Sequence, residues 1–376
     1  MNEENAAKDE AIIEDLSKGL SRRKILAKYR IGNHRFTRLS RELSNRLHLA
    51  RKGKEEVAVP TGYFASKICT HEKGGEVQQR WVHTRPDQEM LFQAQLNALN
   101  GIAESGLPVF AEVANPVLSE DDLLTLYVLS DLHLGLYAWE KESSVPWDLN
   151  LSKKAALDCL HRMADGSPAS KTGVLCLLGD FMHWDGLVQE TNGHRHNLDG
   201  SCRFGELIET ALESILCSIT KLLGTHQEVK VLVAEGNHDE RSANWLQVCL
   251  PFIFQDNPRV QFIKNGLPYY AMVHGEHLLG FHHGHKVRDK EVATVFSADP
   301  QFRKMWGNSQ LCWVHTGHLH HQSIIEVPGA IVERHPTLSA RDSYASRRGY
   351  TSWRCAHAIT YHKKYGPTSR ITVVPT

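Results

Sequence analysis

Short apolar runs alternate with longer helical patterns over the second two-thirds of the chain. Five of these runs are rich in Val, Leu, Ile and aromatic residues and are four to seven residues long: 123–129, 174–178, 229–234, 278–281 and 311–315. Runs of this length and composition are typical of buried strands. Their alternation with helical stretches predicts a layered α/β fold from residue 121 to residue 376.

Each predicted strand is followed by side chains that bind metal ions. In chain order the motifs are Asp131-Leu132-His133, Gly179-Asp180-Phe181-Met182-His183, Gly236-Asn237-His238-Asp239, His282-His283-Gly284-His285 and Gly317-His318-Leu319-His320. An open α/β sheet gathers its ligands at the strand ends, and carboxylate, amide and imidazole groups are metal ligands. The five motifs together therefore predict one metal site.

Residues 1–52 predict a small basic helical domain that resembles a helix-turn-helix. Between residues 21 and 54 there are twelve Lys or Arg and one acid, a balance of 12 − 1 = +11, although the whole chain has 43 basic and 43 acidic residues. A second helix is expected from Ser21 through Tyr29, and the third helix would present Arg35, Arg38 and Arg41 to nucleic acid. The alternative is a basic helical hairpin that contacts another subunit or the catalytic domain.

Residues 53–120 predict a connecting module and a linker. Two strands, 63–70 and 77–84, flank Lys73-Gly74-Gly75 and should form a hairpin, and residues 88–104 should form a helix. Pro108 and Pro116 interrupt regular structure before the first strand of the large domain. This gives three parts: 1–52, 53–120 and 121–376.

Composition narrows the cellular setting. The sequence has no apolar run of about eighteen residues, so no membrane association is expected, and its polar start lacks the apolar segment of a signal peptide. Eight cysteines occur without a Cys-x-x-Cys pair, which favours reduced thiols. We therefore expect a cytoplasmic protein, in the host cytoplasm if a bacteriophage encodes it.

The order of the five motifs resembles that of the calcineurin-like metallophosphoesterases, from about residue 123 to the C-terminus. The resemblance implies a two-sheet β-sandwich flanked by helices and a site for two divalent ions. It assigns one ion to Asp131, His133 and His320, the other to Asn237, His283 and His318, and a bridging role to Asp180. It also makes His238 catalytic, with Asp239 placed to orient the His238 imidazole.

Some assignments stay open at this stage. His282, His285 and His274 compete with His283 as the ligand of the fourth motif. Substrate contacts are assigned to His183, Arg203 and Arg341, each of which has a plain surface or space-filling alternative. A ligand set of oxygen and nitrogen without thiolates suits Mn²⁺, Fe, Zn²⁺, Ni²⁺ or Mg²⁺, and the resemblance favours Mn²⁺.

The substrate is predicted from the two parts of the chain together. The segment His183-Trp184-Asp185-Gly186 differs from the Asp-Arg-Gly of the protein phosphatase branch, and the chain is more similar to SbcD-type nucleases and bacteriophage-encoded phosphoesterases. We predict a nuclease that hydrolyses DNA, with RNA as the less favoured substrate, by means of a metal-bridged hydroxide. The alternatives are a phosphomonoesterase or small-nucleotide phosphodiesterase, and a DNA-binding or assembly protein with a degenerate catalytic domain. The complete ligand set disfavours this last alternative.

Overall fold

The chain forms two compact units, residues 1–85 and residues 86–376. A computed structural model describes residues 8–9, 11–15, 22–29, 31, 36, 39, 63–73, 76–86, 113–191 and 196–376. The boundary between the units falls inside the segment that the sequence assigned to a connecting module. The larger unit contains all five predicted metal-ligand motifs.

The smaller unit contains helical segments and a pair of strands. The helix expected after Ser21 is present as α1 (Arg22–Tyr29). Buried Ile12, Ile13, Ile25 and Leu39 form a small apolar core. Strands β1 (Tyr63–Lys73) and β2 (Glu76–Pro86) pair in a two-stranded sheet, as the hairpin prediction requires. The predicted helix at 88–104 and the side chains of Arg35, Arg38 and Arg41 lie outside the described residues, so the helix-turn-helix stays a prediction.

A six-stranded sheet carries the first three motifs. It consists of β3 (Glu120–Leu129), β4 (Ser170–Leu177), β5 (Glu228–Val233), β6 (Val260–Ile263), β12 (Ala356–His362) and β13 (Gly366–Val373). The strand order is β13-β12-β3-β4-β5-β6. Strands β3 to β6 are parallel, and β12 is antiparallel to both of its neighbours.

A five-stranded sheet carries the other two motifs. It consists of β7 (Tyr270–His274), β8 (His277–Phe281), β9 (Leu311–Thr316), β10 (Ser323–Val327) and β11 (Ala330–Arg334). The order is β10-β11-β9-β8-β7, with β8 parallel to β9. The two parallel strands β8 and β9 therefore end at the same edge of this sheet.

Helices cover the outer faces of both sheets. The helices described in the larger unit are α2 (Glu140–Ser143), α3 (Leu149–Gly166), α4 (Phe204–Leu223), α5 (Glu240–Ile253), α6 (Asp289–Ala298), α7 (Arg303–Gly307) and α8 (Ser343–Arg348). Apolar residues of α3, α4 and α5 pack on the six-stranded sheet, and those of α6 pack on the five-stranded sheet. None of the helices in the described part of the chain is long and apolar enough to cross a membrane.

A third apolar cluster lies between the two sheets. Leu126 of β3 and Cys176 of β4 belong to it, together with Tyr270 and Phe281 of the opposite sheet. Because Tyr127 and Leu175 point to the helix side, both faces of β3 and β4 are buried, which explains why their sequences read as continuous apolar runs. The predicted two-sheet sandwich flanked by helices is confirmed for this unit. The prediction of reduced thiols fits as well, since all eight cysteines are free.

Candidate metal centre

The five motifs follow the C-terminal ends of strands from both sheets. Strands β3, β4 and β5 end at one edge because they are parallel, and β8 and β9 end together in the second sheet. Hydrogen bonds of His283 and His318 connect these edges. The Nδ1–H of His283 donates to the carbonyl oxygen of Leu178 at 2.8 Å, and the amide of His318 donates to both carboxylate oxygens of Asp131 at 3.1 Å.

Asp131, His133 and His320 form a first group of ligand atoms. The Nε2 of His320 lies 3.3 Å from Asp131 Oδ1 and 3.2 Å from His133 Nε2. Two ligand atoms that each lie about 2.1 Å from one ion, at angles between octahedral and tetrahedral, are about 3.0–3.4 Å apart. The first group therefore has the spacing of ligands that share one ion.

Asp180, His283 and His318 form a second group. The Nε2 of His283 lies 3.1 Å from Asp180 Oδ2, and the same oxygen lies 3.9 Å from the Nε2 of His133 in the first group. One carboxylate oxygen thus stands between the two sets of imidazoles. A bridging role for Asp180 is what the family resemblance implies, and it stays a prediction.

Asn237 supplies an oxygen that the protein leaves unsatisfied. Its Oδ1 is buried and has no hydrogen-bond partner among the described residues. The next residue, His238, donates its amide N–H to Asp180 Oδ1 at 2.8 Å, so Asn237 is adjacent to the second group along the chain. An unsatisfied buried acceptor costs about 1–3 kcal/mol, and coordination of a cation would remove this cost. The residues present therefore fit two divalent ions.

The charges of the centre also favour cations. Burial opposes ionisation of Asp131 and Asp180, but the neighbouring imidazoles outweigh it and lower the pKa of both carboxyls. Burial lowers the pKa of His283, yet the two carboxylates outweigh that effect and raise it to about 10. Burial holds the pKa of His133 well below its usual value. Two ionised carboxylates in a buried site need a positive partner, which the protonated His283 supplies; His283 must lose its proton before it can offer a lone pair to a metal ion.

The backbone at the ligands is strained. Five of the seven predicted ligands have positive φ angles: Asp131 at 49°, His133 at 46°, Asp180 at 47°, His318 at 72° and His320 at 60°. Among the other described non-glycine residues, only Ser144 has a positive φ. Asp and His tolerate this region better than most residues, but it still costs free energy and persists where the surrounding structure imposes it. The strained residues and the predicted metal ligands are thus largely the same set.

Two motif glycines give the ligands the room that they need. A Cβ at Gly236 would overlap Oδ1 and the backbone nitrogen of Asp180, and a Cβ at Gly179 would overlap the ring of His283. Gly179 also has a φ of 88°, which glycine adopts without strain. These close approaches explain why glycine precedes the ligands at both positions.

The expected role of Asp239 is wrong. Its carboxylate accepts hydrogen bonds from three backbone amides, those of Phe181 at 2.7 Å, Met182 at 3.1 Å and Gly236 at 2.9 Å. The imidazole of His238 is held instead by the carbonyl oxygen of His183, which accepts from Nδ1–H at 2.8 Å. Asp239 therefore ties the Asp180 loop to the start of α5 and does not orient His238.

The histidines considered for the fourth motif differ in position. His283 belongs to the second ligand group, whereas His274 contacts the carbonyl oxygen of Asp122 at the start of β3, the sheet edge opposite the ligands. His282 accepts from the amide of Gly284 through Nδ1 at 2.9 Å. His285 has a ring 5.4 Å from that of His283, so it borders the centre. The prediction of His283 fits this geometry.

The three predicted substrate residues occupy different places. The Nδ1 of His183 lies 3.1 Å from His133 Nδ1, directly beside the first ligand group. The guanidinium of Arg341 donates to the carbonyl oxygen of Ser143 at 3.1 Å, which places it against α2. Arg203 is exposed at the start of α4. Of the three, only His183 contacts a ligand of the centre.

Sequence reasoning missed a second cluster of metal-type side chains: His315, Glu333 and His335. Their ligand atoms already have partners, since Arg370 binds both Glu333 oxygens at 2.6 and 2.7 Å. The three residues lie on or beside β9 and β11, whose parallel pairing no local pattern in the sequence indicates.

The histidines of this second cluster form one hydrogen-bonded chain. Tyr361 OH lies 3.0 Å from His315 Nε2, His315 Nδ1 lies 2.9 Å from His335 Nε2, and His335 Nδ1 lies 3.2 Å from His357 Nδ1. If Tyr361 donates first, each neutral imidazole accepts at one nitrogen and donates at the other. We therefore interpret the cluster as a buried hydrogen-bond network.

Comparisons with known proteins find matches among solved structures. No family model and no curated protein matches the sequence. A predicted phosphoesterase from Streptococcus pneumoniae TIGR4 matches 67% of this chain and 98% of its own at 10% identity, with a TM-score of 0.27. Zinc-bound Vps29 from Entamoeba histolytica matches 66% and 98% at 15% identity, with a TM-score of 0.28. The phosphopantetheinyl hydrolase of Mycobacterium tuberculosis matches 58% and 91% at 12% identity, with a TM-score of 0.27.

The two-sheet architecture and the candidate metal centre together define the class of this protein. The protein is a layered α/β protein in which the strand ends of two packed sheets carry two adjoining sets of side chains that can bind metal ions. The structural matches have TM-scores below 0.5, so the function rests on the geometry of the centre itself.

Substitution Gly236→Ala should weaken metal binding, because the added Cβ would displace the Asp180 carboxylate. We expect an affinity for Mn²⁺ that is at least about tenfold lower in calorimetric titration. Gly186→Ala is the matched control, since a Cβ there meets nothing within 4 Å. Equal affinities for the two variants would contradict the proposed close approach.

The buried histidine network should make the fold sensitive to acid. Burial lowers the pKa of His315 and of His357 to about 4, below the usual value of 6.5. Between these values the unfolded chain binds protons that the folded chain does not, so the free energy of unfolding falls as the pH falls from 6.5 towards 4. The loss should be about 2 kcal/mol per imidazole between pH 6.5 and 5.

Urea unfolding at pH 7, 6 and 5 in the presence of a chelator measures this effect. Variant His357→Gln removes one of the two groups and should reduce the slope of the unfolding free energy against pH, whatever its stability at pH 7. A variant with the same slope as the wild type would show that His357 does not contribute.

Proposed function

We propose that the chain is a calcineurin-like metallophosphoesterase that hydrolyses phosphodiester bonds of nucleic acid, with two divalent ions and Mn²⁺ as the favoured metal. The observation that carries the proposal is the position of Asp180 Oδ2, which lies 3.1 Å from His283 Nε2 of one ligand group and 3.9 Å from His133 Nε2 of the other. A carboxylate between two ligand groups is the arrangement that a pair of neighbouring ions requires.

The ligand set suits an anionic substrate. When bound, two divalent ions supply a hydroxide of lowered pKa and neutralise charge on the phosphoryl oxygens. The protein contributes two carboxylates, Asp131 and Asp180, while the remaining ligands are neutral imidazoles and the Asn237 amide. Two dipositive ions would exceed the charge of the two carboxylates, so the centre would attract a phosphate.

His238 is the proposed catalytic acid. Its Nδ1–H donates to the carbonyl oxygen of His183, and its ring centroid lies 4.7 Å from that of His133. This hydrogen bond fixes the ring and leaves Nε2 as the nitrogen for proton transfer to the leaving oxygen. His183 is a substrate-contacting candidate, because its Nε2 is buried and has no hydrogen-bond partner among the described residues.

Nucleic acid is proposed as the substrate because of charge. The stretch from residue 21 to residue 54 carries a balance of +11 in a chain whose overall charge is zero, and clustered Lys and Arg bind phosphate backbones. In this proposal the chain is similar to the SbcD-type and bacteriophage-encoded enzymes and binds DNA. The basic helical segment would hold the DNA substrate on the protein. The eight free cysteines support a cytoplasmic location.

Substitution Asp180→Asn should abolish hydrolysis, because it removes the charge between the two ligand groups. Purified protein with Mn²⁺ is assayed on labelled single- and double-stranded DNA, RNA and p-nitrophenyl esters, beside Asp158→Asn as a control on the surface of α3. Cleavage of nucleic acid that disappears only in the Asp180 variant supports the proposal. Turnover of small esters alone would instead indicate a phosphomonoesterase or small-nucleotide enzyme, and metal binding without turnover a degenerate domain.

Substitution His238→Gln should separate catalysis from metal binding. We expect kcat to fall by about 10²–10⁴, the range for loss of a general acid, because the imidazole no longer transfers a proton. The metal content, measured by atomic emission, should stay at the wild-type value because His238 is not one of the seven predicted ligands, although its ring lies beside His133 and His183. A variant that loses metal in parallel with activity would count His238 as a ligand and contradict the assigned role.

A further inference from the structure

We propose that a cavity beside the metal centre binds a nucleobase of a single-stranded nucleic acid whose phosphate occupies the centre. The cavity has a volume of about 330 Å³. Its lining combines aromatic rings, arginines and carboxylates: Tyr137, Trp139, Arg341, Arg347, Glu142 and Asp199. The inference rests on the proposed phosphoesterase function and names the part of the substrate that the metal ligands do not recognise.

The cavity is close to the metal ligands along both chain segments that form it. Tyr137 follows His133 by four residues, which span at most about 14 Å. On the other side, the amide of Ser339 donates to the carbonyl oxygen of Asp131 at 3.3 Å, and Arg341 is two residues further, within about 7 Å of Ser339. A strand bound at the centre would therefore reach the cavity with a neighbouring nucleotide.

Backbone hydrogen bonds hold the aromatic wall in place. The amide of Tyr137 donates to the carbonyl oxygen of Asp199 at 2.7 Å, and Ala138 and Trp147 exchange two bonds of 2.9 and 3.1 Å. Arg341 fixes the opposite wall through its hydrogen bond to the carbonyl oxygen of Ser143. A ligand entering this cavity would thus meet walls that are already formed.

The side chains match a base and its flanking phosphates. Tyr137 is 49% exposed and Trp139 is 50% exposed, so two aromatic rings meet solvent in one cavity, where a base can stack. Arg341 and Arg347 supply positive charge for phosphate oxygens. Glu142 and Asp199 supply hydrogen-bond acceptors for the amino groups of a base. An apolar peptide has no side-chain donors for these carboxylates.

The test compares two substrates that differ only in whether the central residue carries a base. Single-stranded trinucleotides, one normal and one with an abasic central residue, are hydrolysed by the wild type, Trp139→Ala and Tyr137→Ala in Mn²⁺. We expect each variant to raise KM for the normal trinucleotide by about tenfold, because a stacking partner is lost, and to leave kcat and the abasic substrate nearly unchanged.

Two matched controls carry exposed rings that do not line the cavity. Trp353 is 60% exposed and Tyr365 is 70% exposed, and Tyr365 lies in the turn between β12 and β13. Trp353→Ala and Tyr365→Ala should keep the wild-type KM for both substrates. Equal KM values in the cavity variants and the controls would overturn the inference while leaving the phosphoesterase proposal intact.

If the wild type hydrolyses neither trinucleotide, the proposed function fails. The cavity is then tested by binding instead of hydrolysis. Anisotropy of the labelled trinucleotides in Mn²⁺ then gives the ratio of Kd for the abasic and normal forms. A ratio above one that Trp139→Ala abolishes and Trp353→Ala keeps would support the cavity. A ratio of one in the wild type would overturn it.

Discussion

Two ionised carboxylates in the interior, those of Asp131 and Asp180, impose the main physical constraint on this protein. Each is almost fully buried, and their like charges would oppose folding without positive partners. The structure surrounds them with imidazoles whose Nε2 atoms lie 3.1–3.9 Å away, and with backbone amides that donate to their oxygens. The centre is thus arranged for cations, and the strand ends, the turns and the second sheet all contribute to it.

The turns that bring these groups together have strained backbone conformations. Asp131, His133 and Asp180 have left-handed backbone conformations, and Gly236 approaches Asp180 so closely that a methyl group would not fit. Such conformations persist when the surrounding packing is strong enough to impose them. Here the packing comes from three apolar clusters, two under the outer helices and one between the sheets. The packed sandwich therefore holds the strained turns after the strands in place, and the predicted ligands lie in those turns.

Histidine serves two distinct purposes in this chain. At the metal centre, the Nε2 atoms of His133 and His283 lie beside carboxylate oxygens. In the interior, His315 and His335 bond to each other and to their neighbours, and burial keeps the pKa of both low. Residue type alone does not separate the two groups. The difference lies in whether a ring nitrogen faces a carboxylate at the strand ends or another partner within the core.

The sequence by itself determined the strands before the five motifs, because buried parallel strands read as continuous apolar runs, and it predicted the carboxylate, amide and imidazole side chains that follow them as metal ligands. It also identified the helix through Tyr29 and the paired strands β1 and β2. Only the tertiary structure decided that β8 and β9 form a separate sheet, that His274 lies at the opposite edge, and that Asp239 binds backbone amides. These facts depend on contacts between residues distant in sequence, such as His318 with Asp131, and local patterns of polarity do not specify which distant partner a group will meet.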